Sequence, residues 1–84
     1  MGTRMIQIRV TPALWGTSML PQGILQKWLQ PDNTLVEAGE PVAYVQIEDG
    51  LHALMAPAAG WLKQACAQNA VIEPGMVVGQ LNLP

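Results

Sequence analysis

The 84-residue chain has room for one domain, and at this size folding buries only about 60–65% of the unfolded surface, so one efficient core must carry the stability. Half the residues are hydrophobic and only 12% are charged, which excludes a disordered segment; no uninterrupted apolar stretch approaches the roughly 18 residues of a membrane span. The net charge is −2, and the four basic residues are scattered at Arg4, Arg9, Lys27 and Lys63, so no cationic surface is available for a run of phosphates and nucleic acid is not an expected partner.

The opening MGTRMIQIRV has an Arg but neither an apolar h-region nor a cleavage site, so no secretory signal is expected. Ile6 occupies the position at which N-myristoylation after Met-Gly needs Ser or Thr. Ile6, Ile8 and Val10 alternate with Gln7 and Arg9 as a half-buried strand requires, and Pro12 ends the run. Gly23 then opens GILQKWL, and TLVEAGEPVAYVQI holds two further strands around a Glu37-Ala38-Gly39-Glu40 turn. Past Glu48-Asp49-Gly50 come LHALM, GWLKQAC, AVI and VVGQLNL. With 8 Gly and 7 Pro breaking the chain every few residues, the segments have the length of strands, and about eight of them predict an all-β barrel or sandwich. One domain is expected over 1–84, its core over about 5–83.

An internal repeat organises these strands. Gly23 matches Gly60 and Leu25 matches Leu62; after a one-residue gap, Gly39 matches Gly75, Val42 matches Val78 and Val45 matches Leu81. Neither half can bury its own apolar face, so the two must close on each other around a pseudo-two-fold axis. By the same symmetry, ALWGTSMLPQG before the first half is expected to correspond to LHALMAPAAG before the second.

Taken in order and spacing, Pro12 after the first strand, GILQKWL, VEAGEPVAYV, APAAG and EPGMVVGQL resemble the lipoyl domain of 2-oxo acid dehydrogenase acyltransferases, itself similar to the biotin carrier domain of carboxylases. The likeness covers roughly Ile6 to Leu83. It implies a flattened barrel of two four-stranded sheets with the termini at one end and an exposed hairpin turn at the other. In functional members that turn carries an Asp-Lys pair, the lysine bearing lipoate through an amide; biotin carriers use Met-Lys-Met.

Counting back from Pro57, the family's lysine falls on Asp49, flanked by Glu48, where its partner aspartate would be, and by Gly50. The only lysines are Lys27 and Lys63, at symmetry-related strand positions away from the turn. Attachment needs a primary amine, and a carboxylate cannot substitute, because its product would be an anhydride. No bound lipoate or biotin is therefore expected. As a local structure, Asp-Gly is a strong signal for a two-residue type I′ hairpin loop, whose central residues need positive φ. As a surface, Glu48 and Asp49 make an acidic tip suited to a basic partner.

Other chemistry is sparse. His52, the only histidine, is out of phase with Leu51 and Ala53 and reads as a plain sheet residue. A metal set of Glu48, Asp49 and His52 is disfavoured because alternation points the three apart and zinc sites use more His or Cys. Cys66, the only cysteine, excludes an internal disulfide, fits a reducing compartment and reads as a small buried hydrophobe. No catalytic residue is nominated. Trp28 and Trp61 read as core or half-core residues, whereas Trp15 falls in a loop between Pro12 and Gly16, where aromatics serve recognition. In lipoyl domains the matching loop lies near the lysine hairpin and helps the decarboxylase choose its domain, which nominates Leu14, Trp15, Gly16 and Thr17 as a contact patch with Glu48 and Asp49.

Two functions follow. One is a cytoplasmic, non-enzymatic interaction module, carrier-like but without a swinging arm, that docks on a 2-oxo acid dehydrogenase, carboxylase or cofactor ligase. The other is a carrier subunit holding lipoate or biotin at an unorthodox lysine or noncovalently. The oligomeric state is not specified by the sequence.

Overall fold

A computed structural model of the chain describes residues 4–84. Met1–Thr3, on which the secretion and myristoylation readings partly rest, lie outside the described residues. Among the described residues eight strands form: β1 (Met5–Arg9), β2 (Gly23–Trp28), β3 (Leu35–Val36), β4 (Pro41–Ile47), β5 (Gly50–Met55), β6 (Gly60–Gln64), β7 (Val71–Ile72) and β8 (Val77–Asn82). They make two antiparallel four-stranded sheets, ordered β1-β8-β6-β3 and β5-β4-β2-β7. The one additional element among the described residues is a 3₁₀ turn at Pro12–Trp15, in which Pro supplies the fixed φ of a first turn. The architecture is the expected all-β barrel or sandwich.

The register makes the repeat physical. Leu25 pairs with Val45 as Leu62 pairs with Leu81; Ile24 pairs with Gln46 as Trp61 pairs with Asn82; Ile72 pairs with Gly23 as Val36 pairs with Gly60. A bulge at Gln26 in β2 absorbs the one-residue gap between the halves, so Lys27 opposite Tyr44 occupies the place of Lys63 opposite Gln80. Alternation sends one matched set inward: Leu25 and Leu62, Val36 and Ile72, Val42 and Val78, Val45 and Leu81 are all fully buried. Each such side chain contributes roughly 1.5–3 kcal/mol on burial, and neither half supplies enough of them alone.

Glycine is fixed at matched sites for one reason in each pair. Gly39 and Gly75 sit in turns with φ of 82° and 86°, where a side chain is strained. At Gly23 and Gly60 a Cβ would lie 2.8 Å from the carbonyl oxygens of Gln46 and Asn82 respectively, so the strands approach closely only without one.

Three expectations change. ALWGTSMLPQG is not the counterpart of LHALMAPAAG: β1 closes on β8 as β5 closes on β4, so MIQIRV is the partner of LHALMA. Backbone bonds agree, with Val10 N donating to Met76 O at 3.0 Å and Ala56 N to Glu40 O at 2.8 Å. Most of the former segment is therefore an extended connection that the second half reduces to a short link between β5 and β6. Trp61 faces outward and is 46% exposed, while Trp28 is half-buried and donates its Nε1 to Cys66 O at 2.9 Å. Trp15 is not an exposed loop aromatic, being 7% exposed within the core cluster.

Candidate functional site at the acidic hairpin

The β4–β5 hairpin closes through a two-residue loop, Glu48-Asp49, because Ile47 pairs directly with Gly50. This differs from the expected Asp-Gly type I′ loop. Glu48 alone has positive φ, at 52°, and Gly50 begins β5. A positive first central residue followed by a negative second is the sign pattern of a II′ turn, which also matches strand twist but favours Gly at its first position. Glu48 therefore occupies a place costly for a side chain, by about 1–2 kcal/mol. Gly50 is used for space instead: a Cβ there would lie 3.1 Å from His52 Nε2.

Two hydrogen bonds tie Glu48 to its surroundings. Its Oε1 accepts from Met19 N at 3.2 Å, fastening the β1–β2 connection to the hairpin, and its carbonyl accepts from Gln46 Nε2 at 3.3 Å. The connection is shaped by its own bonds, with Gly16 N donating to Ala13 O at 3.1 Å and Ser18 N to Trp15 O at 2.8 Å. The 3₁₀ turn folds Trp15 inward, so its ring props the connection from beneath. Its Nε1 is buried and has no acceptor among the described residues.

Between the 3₁₀ turn and the hairpin lies an open groove of about 400 Å³. Leu14, Trp15, Gly16, Thr17, Glu48 and Asp49, the six residues nominated from sequence, all line it, together with Ile47 and His52. Glu48, Asp49, Gly16 and Thr17 are exposed; Leu14 is half-buried and Trp15 buried, so the patch offers an acidic rim over an apolar floor. His52 sits opposite the buried Val45 in register, on the inward phase of β5, separate from Leu51.

The tip offers only carboxylates and backbone. Lys27 projects from β2 and is exposed; Lys63, on β6, donates its Nζ to Asn33 Oδ1. Neither lines the groove. Among the described residues no cluster of three or more His, Cys, Asp or Glu is placed to hold a metal ion, and no helix is long and apolar enough to cross a membrane. Cys66 is half-buried, its Sγ directed to Val77 O at 3.9 Å.

Sequence reasoning missed a second surface beside the tip. Leu20, Ile24 and Val71, with Gln22, Gly23, Gln46 and Glu48, line another groove of about 340 Å³ on the outer face of β2 and β4. The available signal was outward phase: Ile24 lies one residue before buried Leu25, and Leu51 one after Gly50 in the same strand ladder. Comparison of the chain with models of known protein families and with curated proteins finds no match to either.

Proposed function

We propose that this domain is a non-enzymatic protein–protein interaction module of the lipoyl and biotinyl carrier type that has no attachment lysine. It would dock on a 2-oxo acid dehydrogenase, carboxylase or cofactor-ligase partner in the cytoplasm. The observation that carries this reading is the hairpin tip: the two loop residues that the resemblance aligns with the Asp-Lys pair are Glu48 and Asp49, so this exposed turn presents carboxylates where acylation would need an amine. The adjoining groove supports the interaction half of the reading. It gathers Leu14, Gly16 and Thr17 beside the acidic pair, and a carboxylate rim steers and orients a basic partner more than it adds affinity.

The test is co-expression with lipoate and biotin and their ligases, followed by intact-mass measurement of the native chain and of the Asp49→Lys variant. The native chain is expected to gain no mass and the variant to be modified. Lipoate or biotin found covalently on the native chain overturns the proposal in favour of a carrier with an unorthodox attachment point. Refusal of both chains by both ligases removes the support for the carrier resemblance.

A further inference from the structure

We infer that the principal docking surface is the outer face of β5-β4-β2-β7 beside the tip, and that its occupant is a polypeptide segment carrying an apolar anchor next to a Lys or Arg. The inference rests on the reading of the domain as an interaction module and moves the contact from the Trp15 groove to this face.

Directly paired residues share a face, so Leu51 opposite Gln46, Gln46 opposite Ile24, and Ile24 opposite Val71 form one row across all four strands. Its apolar members are exposed at 55%, 44% and 53%, for Leu51, Ile24 and Val71. Leu20, 51% exposed, walls the same groove as Ile24 and Val71, and neighbouring Met19 is 91% exposed while its backbone is held by Glu48. Leu20, Ile24 and Val71 border one groove, and Leu51, across exposed Gln46, and Met19 flank it; apolar side chains exposed together and rimmed by polar ones are the kind of surface that is often functional.

The charges select the occupant. Among the described residues Glu48 is the one charged residue lining the groove, Asp49 adjoins it in sequence, and no Lys or Arg lines it. A second copy stacked in the same direction would bring two acidic tips together, and the one cation this face offers it is Lys27, opposite Tyr44 and away from the groove, so self-association is kept as an outcome of the test. An anionic lipid surface would meet Glu48 and Asp49 at the tip against the single Lys27 of this face, a balance that repels it. A segment with an apolar side chain to fill the Leu20–Ile24–Val71 groove and a basic group to meet Glu48 satisfies both features. By contrast, Trp15, the aromatic of the other groove, is already buried and has little surface left to give.

The experiment uses the full chain, 15N-labelled, with short synthetic peptides in three forms: Leu anchor with flanking Arg, the same with Glu in place of Arg, and the same with Ala in place of Leu. The Leu-Arg form is expected to shift the amides of Leu20, Gln22, Ile24, Gln46, Glu48 and Val71, and each altered form to bind at least tenfold more weakly. Glu48→Gln should weaken the Leu-Arg peptide severalfold and flatten its salt dependence, and Ile24→Ser should abolish the shifts; both substitutions are at exposed positions, and retained spectral dispersion verifies the fold. No shift at these amides up to millimolar peptide, equal binding of the Glu form, self-association through this face in sedimentation, or binding to anionic vesicles that Ile24→Ser removes would each overturn the inference. Shifts confined to Leu14–Thr17 would overturn it while leaving the proposed function standing.

Discussion

Replacing Glu48 by Gly and, separately, by Ala isolates the backbone strain at the tip. Both substitutions delete the carboxylate and so lose the contact from Met19 N equally; they differ only in the Cβ. In ordinary strand positions Gly is less stable than Ala by about 0.5–1 kcal/mol, because the unfolded chain gains more freedom. At φ 52° the order should reverse, since the left-handed region costs a residue with a Cβ roughly 1–2 kcal/mol that Gly does not pay. Subtracting the entropic term leaves Glu48→Gly more stable than Glu48→Ala by about 0.5–1 kcal/mol, or a few degrees in Tm for a domain of this size. Asp49 supplies the internal control, because its φ is not positive and Asp49→Gly should be the less stable of its pair. Urea unfolding with a common m-value, checked by thermal melts, reads both differences. If Glu48→Ala equals or exceeds Glu48→Gly, the loop is not Glu48-Asp49, and the alignment of the acidic pair with an Asp-Lys tip loses its geometric basis.

The remaining predictions test the core and the props of the site. Gly60→Ala and Gly23→Ala each force a Cβ to 2.8 Å from a backbone oxygen that cannot step aside, and each should cost about 1–3 kcal/mol in chemical denaturation. Leu25→Ala and Leu62→Ala, at matched fully buried sites, should cost similar amounts in the range of about 2–5 kcal/mol, and markedly unequal losses would argue against an equivalent two-fold core. Trp15→Ala should lower stability by about 3–5 kcal/mol, as loss of a core ring does, whereas an exposed recognition aromatic would cost almost nothing by the same measurement.

Much of the fold was legible because Gly and Pro punctuate the chain at the ends of strands, and because Leu25 and Leu62, or Val42 and Val78, recur in matching phase. Even the equivalence of Lys27 and Lys63 was readable, although the bulge at Gln26 that makes it true was not. Two of the failures come from register and one from a local turn. Asp-Gly signals a loop without saying which two residues close it; once Ile47 pairs with Gly50, the positive φ falls on Glu48. Trp15 looked like a loop residue because Pro12 and Gly16 bound it, yet a 3₁₀ turn between them carries the ring inward. The outer row of Leu51, Ile24 and Val71 becomes visible only when pairing shows that three separate outward phases meet.

Where the two halves differ is as informative as where they agree. β2, β3 and β4 superpose in pairing on β6, β7 and β8, and β5 stands to β4 as β1 stands to β8, so the core gives no reason for the halves to diverge. The divergence is in one connection: β5 reaches β6 through Ala56–Ala59, whereas β1 reaches β2 through residues 10–22, with a 3₁₀ turn, a buried Trp15 and the exposed Met19 and Leu20. That extra length is not spent at random. It lies against the β4–β5 hairpin, is fastened to it by Glu48, and walls both grooves that adjoin the tip. A positive-φ glutamate is a cost that a merely structural link, as short as its counterpart, would avoid. The asymmetry therefore directs the search for a partner to this one end of the domain.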